Sequence, residues 1–244
     1  SLWGPKNYAE KEMIFMNRSV AADSKMEGLN YPIGITGGNS GNCPTQDLVD
    51  AYEMAATGLR YDEAGSGYDD TKPYIGRDPR FAMTIVKNGD LKWPSSNTSP
   101  IEIFYGGLNA EPLSGATPTG YYLKKYLDPA IDMSANSKYK TSHHSWIVFR
   151  LGEFYLNYAE AIFQYTGSAD APGDFGMTAR EAVNVIRART DVKMPQLSTG
   201  LSAEDFWKRY QNERRIELAF EGHRFYDIRR WKIADQYKNI TEMK

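Results

Sequence analysis

Cysteine is almost missing: Cys43 is the one in 244 residues, which rules out an internal disulfide and a cysteine-built metal cage. An excess of charge of one sign is missing too. With 29 Lys and Arg against 31 Asp and Glu, the net charge is −2 and the pI ≈ 6.0, a balance that calls for neither nucleic acid nor an anionic membrane surface. No apolar run approaches the roughly 18 residues of a spanning helix. Histidines are three, His143, His144 and His223, without H-E-x-x-H or E-x-x-H spacing, so no metal site and no cofactor are expected. There is no G-x-S-x-G, and Cys43 has no histidine near it. The run Gly34–Gly41 lacks the G-K-[ST] ending of a phosphate loop and reads as a flexible surface loop. The chain starts at Ser1 without a signal peptide and reads as a processed or truncated piece of something larger.

What is present is unevenly placed. Residues 1–145 hold 15 of the 21 Gly and 10 of the 12 Pro, so regular elements are short there and loops long. Met13–Met16 reads as a short buried strand or helical turn. Residues 26–43 read as a Gly/Asn loop carrying an exposed Tyr31. Thr45 is placed to cap a helix over Gln46–Ala55 that stops at Gly58. Phe81–Val86, Asn88-Gly89 and Leu91–Trp93 have the pattern of a β-hairpin, and Ile101–Tyr105 and Tyr121–Leu127 that of further strands.

Residues 146–244 read as helices. Leu151, Phe154, Tyr155, Tyr158, Ala159, Ile162 and Phe163 recur at helical spacing. Thr178-x-x-Glu181 is a capping box ahead of a helix with Ala182, Val183 and Ile186 on its buried stripe. Ser202-x-x-Asp205 opens a last long helix, for which Gly222 is a suitable stop after Glu221. The expected domain division is thus 1–145, loop-rich, and 146–244, helical. No clean internal repeat is visible.

The densest chemistry lies at 212–231. Glu213, Glu217, Glu221 and Asp227 alternate there with Arg214, Arg215, Arg224, Arg229 and Arg230, among Ile216, Leu218, Phe220, Phe225, Ile228 and Trp231. Every cation is arginine, which suits bidentate pairing in partly buried positions. Glutamates four apart on a helix approach the spacing of a glycosidase pair. Adjacent guanidiniums, however, hold a carboxyl ionised and spoil a general acid. We therefore read the stretch as a structural ion-pair network and expect no catalytic residue.

Loop aromatics remain. Trp3, Tyr31, Tyr61, Tyr68, Tyr74 and Trp93 lie in Gly/Pro-rich loops, with Asn30, Asn39, Asp69 and Arg77 nearby. Flat rings beside polar groups are what a sugar needs: its C–H faces stack and its hydroxyls find partners. The expected ligand-binding set is Trp3, Tyr31, Asn39, Tyr61, Tyr68, Tyr74, Arg77 and Trp93.

Several runs together resemble the SusD/RagB family. They are Arg150–Ala161 (RLGEFYLNYAEA), Ala182–Arg189 (AVNVIRAR) and the stretch from Asn212 to Trp231. Upstream, Pro44–Tyr52 (PTQDLVDAY) and Arg77–Arg80 (RDPR) match the same family in the same order. The resemblance implies a mainly α fold, with tetratricopeptide-like helical hairpins, a long loop-rich region bearing the ligand face, and a few short β-strands. It implies a non-catalytic glycan-binding lipoprotein on the bacterial outer surface, seated on a SusC-like TonB-dependent transporter. The family's N-terminal helices, its lipidated cysteine and its closing segment are expected to lie outside these residues, so membrane attachment would come only through an anchor outside this chain. A helical scaffold for a peptide or protein partner is the alternative.

Overall fold

The structure is a computed structural model, and it describes residues 10–237 and 239. Contacts divide the chain into two compact units. The first takes the chain up to Val49, Ala82–Val148 and the end from Gln236; the second takes Asp50–Phe81 and Phe149–Asp235. Composition shifts near residue 145, close to one of these boundaries. Contacts add to the helical unit a loop that composition groups with the N-terminal part.

The second unit is built on four helices: α4 (Leu151–Thr166), α5 (Ala179–Arg187), α6 (Ala203–Glu217) and α7 (Arg224–Arg230). Helix α4 packs chiefly on α5, and both touch α6. The α5 capping box has both arms: Thr178 Oγ1 accepts from Glu181 N at 3.1 Å, and Thr178 N donates to the Glu181 carboxylate at 2.8 Å. Its stripe Ala182, Val183 and Ile186 is buried. Ser202 Oγ caps α6 by accepting from Asp205 N at 3.0 Å. Phe163, Phe206 and Tyr210 fill the core with Leu156 and Ala159, and the Phe163 and Trp207 rings stack at 5.5 Å.

Two expectations shift here. The buried face of α4 runs through Gly152, Leu156, Ala159, Glu160 and Phe163, while Leu151 and Phe154 are exposed. Helix α6 ends at Glu217, four residues before the expected stop. Phe220 takes a left-handed φ of 63°, which breaks the i→i−4 ladder, so Glu221 and Gly222 lie in the turn before α7.

The first unit contains β1 (Met13–Arg18), α1 (Lys25–Asn30), β2 (Ile85–Val86), β3 (Tyr122–Leu123) and most of β4 (Ser145–Arg150). Helices α2 (Gln46–Ala51) and α3 (Pro79–Thr84) span the divisions between the two units. β1 pairs with β4, and β2 pairs antiparallel with β3 in the register Ile85↔Leu123. Tyr31, Val86, Trp93, Ile101, Ile103, Tyr122 and Leu127 form its core.

Corrections concentrate in this unit. β1 is a strand, but Ile14 and Phe15 are exposed rather than buried. Helix α2 stops at Ala51. The expected hairpin is absent: its first half is largely α3, whose start is capped by the Asp78 carboxylate accepting from Arg80 N at 2.9 Å. The turn at Asn88-Gly89 does form. Its opposing arm is the irregular run from Ile101: Gly89 N donates to Ile101 O at 2.7 Å and Ile101 N to Asp90 O at 2.8 Å. Asn88 Oδ1 also accepts from Ile103 N. The strand expected over Tyr121–Leu127 shrinks to Tyr122–Leu123, with Tyr126 at φ 73°.

The loop 26–43 is folded rather than loose. It contains α1, and Ser40 N and Gly41 N donate back to Tyr31 O and Leu29 O. A Cβ on Gly38 would sit 2.5 Å from Pro32 O, so only glycine passes there.

Candidate functional site

The carboxylates of 213–227 find their partners mostly outside their own stretch. Glu213 accepts from Arg80 Nη1 at 2.6 Å and from Arg187 Nη1 at 2.7 Å. Glu217 accepts from Arg150 Nη1 at 2.7 Å, from Arg80 Nη1 at 2.9 Å and from Arg189. Glu221 takes Arg150 in a two-point contact at 2.7 and 2.8 Å. Asp78 and Glu53 close the cluster on Arg80 and Arg187.

A second group lies alongside. Arg214 donates to Asp227 at 2.7 Å and to Asn157 at 2.8 Å. Arg230 donates to Glu160 and Asp227. Tyr210 and Trp231 also donate to Glu160. Arg229 is exposed and lies 3.4 Å over the Phe225 ring, which is itself exposed. Arg215 and Arg224 are half-buried.

Burial by itself would raise the Glu217 carboxyl. The guanidiniums of Arg150, Arg189 and Arg80 overcome that and hold it well below the usual carboxylate range. Glu213 is lowered in the same way, by Arg80 and Arg187. Carboxylates held ionised this firmly have no proton to give near neutral pH. The cluster is a brace, formed by loop, strand and helix positions far apart in sequence.

The loop aromatics separate into three groups. Tyr31 and Trp93 are buried, at 0% and 5% exposure, and they meet edge to face at 6.2 Å. The Tyr31 hydroxyl donates to Asp128 O at 2.6 Å and to Ile131 O at 3.1 Å. Neither ring offers a face to a sugar, and both leave the ligand-binding set. The physical reason is that the Gly/Asn run folds over Tyr31 instead of projecting from it.

Asn39 is exposed, and its amide donates to Gly28 O at 2.7 Å, bracing the same loop. Trp3 lies outside the described residues.

In the second unit the loop after Gly58 brings Tyr61, Tyr68, Tyr74 and Arg77 together, with all three rings half-buried. Tyr61 and Tyr68 meet edge to face at 5.3 Å. The Arg77 guanidinium lies 5.5 Å from the Tyr68 ring centroid. It is held there by donating to Tyr52 O and Pro73 O. Tyr74 stacks on Phe81 at 5.7 Å.

Sequence reasoning passed over the concavities of the first unit, among them one at the start of β4. It has a volume of ≈ 230 Å³ and is lined by Asn17, Ser19, Met26, Tyr126, His144, Ser145 and Trp146. In β4 the burial alternates, with Ser145 and Ile147 inward and Trp146 and Val148 outward. That alternation was the available signal: a strand there leaves a tryptophan facing water. His144 Nε2 lies 3.1 Å from the buried Glu27 carboxylate. Among the described residues no group of His, Cys, Asp and Glu is arranged to hold a metal ion, and no helix is long and apolar enough to cross a membrane.

With this geometry in place, the chain was compared with known proteins. The sequence profile of the SusD family matches residues 11–243. No curated protein matches the chain. Among solved structures, a SusD-like protein from Bacteroides fragilis NCTC 9343 is 33% identical with a TM-score of 0.75, covering 96% of this chain and 46% of its own. A SusD-like carbohydrate binding protein from the same organism is 26% identical with a TM-score of 0.72, covering 93% of this chain and 42% of its own. A SusD superfamily protein from Bacteroides vulgatus, at 20% identity and a TM-score of 0.58, shares the fold. The chain therefore spans less than half the length of each of these structures.

Proposed function

The chain belongs to the SusD family, and from that premise we propose that it binds glycan without catalysis at a bacterial outer surface and passes the ligand to a SusC-like TonB-dependent transporter. Attachment to the outer membrane would come through a lipid anchor. Pairing of α4 with α5 as a tetratricopeptide-like hairpin belongs to the same proposal.

One observation carries the glycan reading: the loop cluster of Tyr61 and Tyr68, with the Arg77 guanidinium fixed beside the Tyr68 ring. Half-buried tyrosines are rigid and amphipathic, offering carbon surface to a sugar's C–H face and a hydroxyl at the rim. The similar Bacteroides fragilis structure described as carbohydrate binding supports the ligand class. The firmly ionised Glu213 and Glu217 support a non-catalytic role.

Calorimetry of the full chain against a panel of neutral and acidic polysaccharides tests the proposal. Binding to at least one, weakened about tenfold in Tyr61→Ala/Tyr68→Ala, is the expected result. Binding to none of the panel overturns the glycan reading. Binding that survives the double substitution moves the site elsewhere.

A further inference from the structure

We propose that the concavity at the start of β4 is a second sugar-contact site, which takes a single neutral pyranose ring stacked on Trp146. The inference rests on the glycan-binding reading above but concerns a different unit and different residues.

Trp146 stacks one face on Tyr126, with centroids 5.1 Å apart and planes within 14°. It nevertheless stays 49% exposed. Folding thus fixes the indole plane and leaves much of its apolar surface in water, an arrangement that costs stability and suits a partner with a flat C–H face.

The second observation is polar and independent of the first. Ser145 is 8% exposed and lines the same cavity, yet its Oγ makes no hydrogen bond. A buried hydroxyl without a partner is unfavourable in the empty site and becomes favourable once a ligand hydroxyl meets it. The Oγ is closed to solvent as folded, so a ligand hydroxyl would meet it after rotation about χ1. Asn17, exposed on β1, adds an amide that both donates and accepts.

The lining also sets size and charge. At ≈ 230 Å³, the cavity falls below the roughly 300–1,000 Å³ of pockets for drug-sized ligands, which leaves room for one ring rather than a chain. Among the described residues, no Lys or Arg lines it. Its one ionisable lining group besides the Tyr126 phenol, His144, is already committed to Glu27. A uronic acid or sulfated sugar would find no cation there; a neutral pyranose needs none.

The test is calorimetry of the full chain against laminarin, xylan, amylopectin and mannan as neutral probes and polygalacturonate as the acidic one, for wild type, Trp146→Ala and Ser145→Ala. Expected is binding of a neutral probe that weakens about tenfold in Trp146→Ala and about threefold in Ser145→Ala. The Ser145 variant should melt no lower than wild type, because it removes an unpaired group; it therefore decides the matter if Trp146→Ala does not fold. Neutral binding unchanged in both variants overturns this site and leaves the glycan reading standing. Wild-type binding of polygalacturonate alone overturns the neutral-sugar assignment. Wild-type binding of none of the five overturns both this inference and the reading it rests on.

Discussion

The two units differ in how they satisfy their buried charged and polar groups. In the helical unit many backbone groups pair within helices, and buried charges pair with one another, as Arg80, Arg150, Arg187, Glu213 and Glu217 do, while Arg77 and Asn184 also serve loop backbone. In the loop-rich unit there is little regular ladder, and side chains serve the backbone instead. Tyr31 and Tyr122 donate to carbonyls of distant loops, Asn109 donates to Ile33 O, and Glu27 accepts from Asp128 N. The contrast follows from the requirement that buried N–H and C=O groups find partners. Where secondary structure does not provide them, tyrosine, asparagine and glutamate do.

The contrast is sharpest at Glu217. Replacing it by alanine leaves the guanidinium of Arg150 buried beside fewer carboxylates. The expected loss is about 3–5 kcal/mol, read from urea denaturation. A loss below about 1 kcal/mol would mean that the charges are screened as surface pairs are, and the comparison would break.

Next in size is Tyr31→Phe. It keeps the ring and removes the hydroxyl that the Asp128 and Ile131 carbonyls share, for about 1–3 kcal/mol by the same measurement. No change would show that water serves those carbonyls equally well.

Thr178→Ala, which deletes one arm of the capping box on α5, should cost about 1 kcal/mol. It measures what purely local chemistry contributes beside the long-range brace.

The smallest expected effect is a pH dependence in the loop-rich unit. His144 is raised above its ordinary value of 6.5, chiefly by its hydrogen bond to Glu27, against the opposing effect of burial. A group raised in the folded state stabilises fully below its unfolded pKa and loses that contribution as pH rises through the folded one. The melting temperature should therefore decline gently as pH climbs past neutrality, and His144→Gln should flatten the decline. An unchanged slope in the variant would remove His144 as its cause.

Legibility followed the same division. The capping box at Thr178, the N-cap at Ser202, the stripe Ala182-Val183-Ile186 and the turn at Asn88-Gly89 were readable because each is decided within four or five residues. The hairpin failed because Ile101–Ile103, not Leu91–Trp93, supplies the arm opposite the turn. Tyr31 was misplaced for a related reason: glycine-rich composition signals a loop but not which residues the loop covers. Trp146 was passed over because its strand precedes a strong helical pattern that absorbed it.

The sequence by itself determined the family, through runs spread from Pro44 to Trp231, and the presence of an arginine–carboxylate network around 213–227. Tertiary structure alone decided which arginines do the pairing. Arg80 lies 133 and 137 residues from Glu213 and Glu217, and Arg150 lies 67 from Glu217, distances over which no local pattern selects a partner. It also decided which aromatics keep a face in water. Burial is a property of what packs over a side chain, and that covering arrives from elsewhere in the chain.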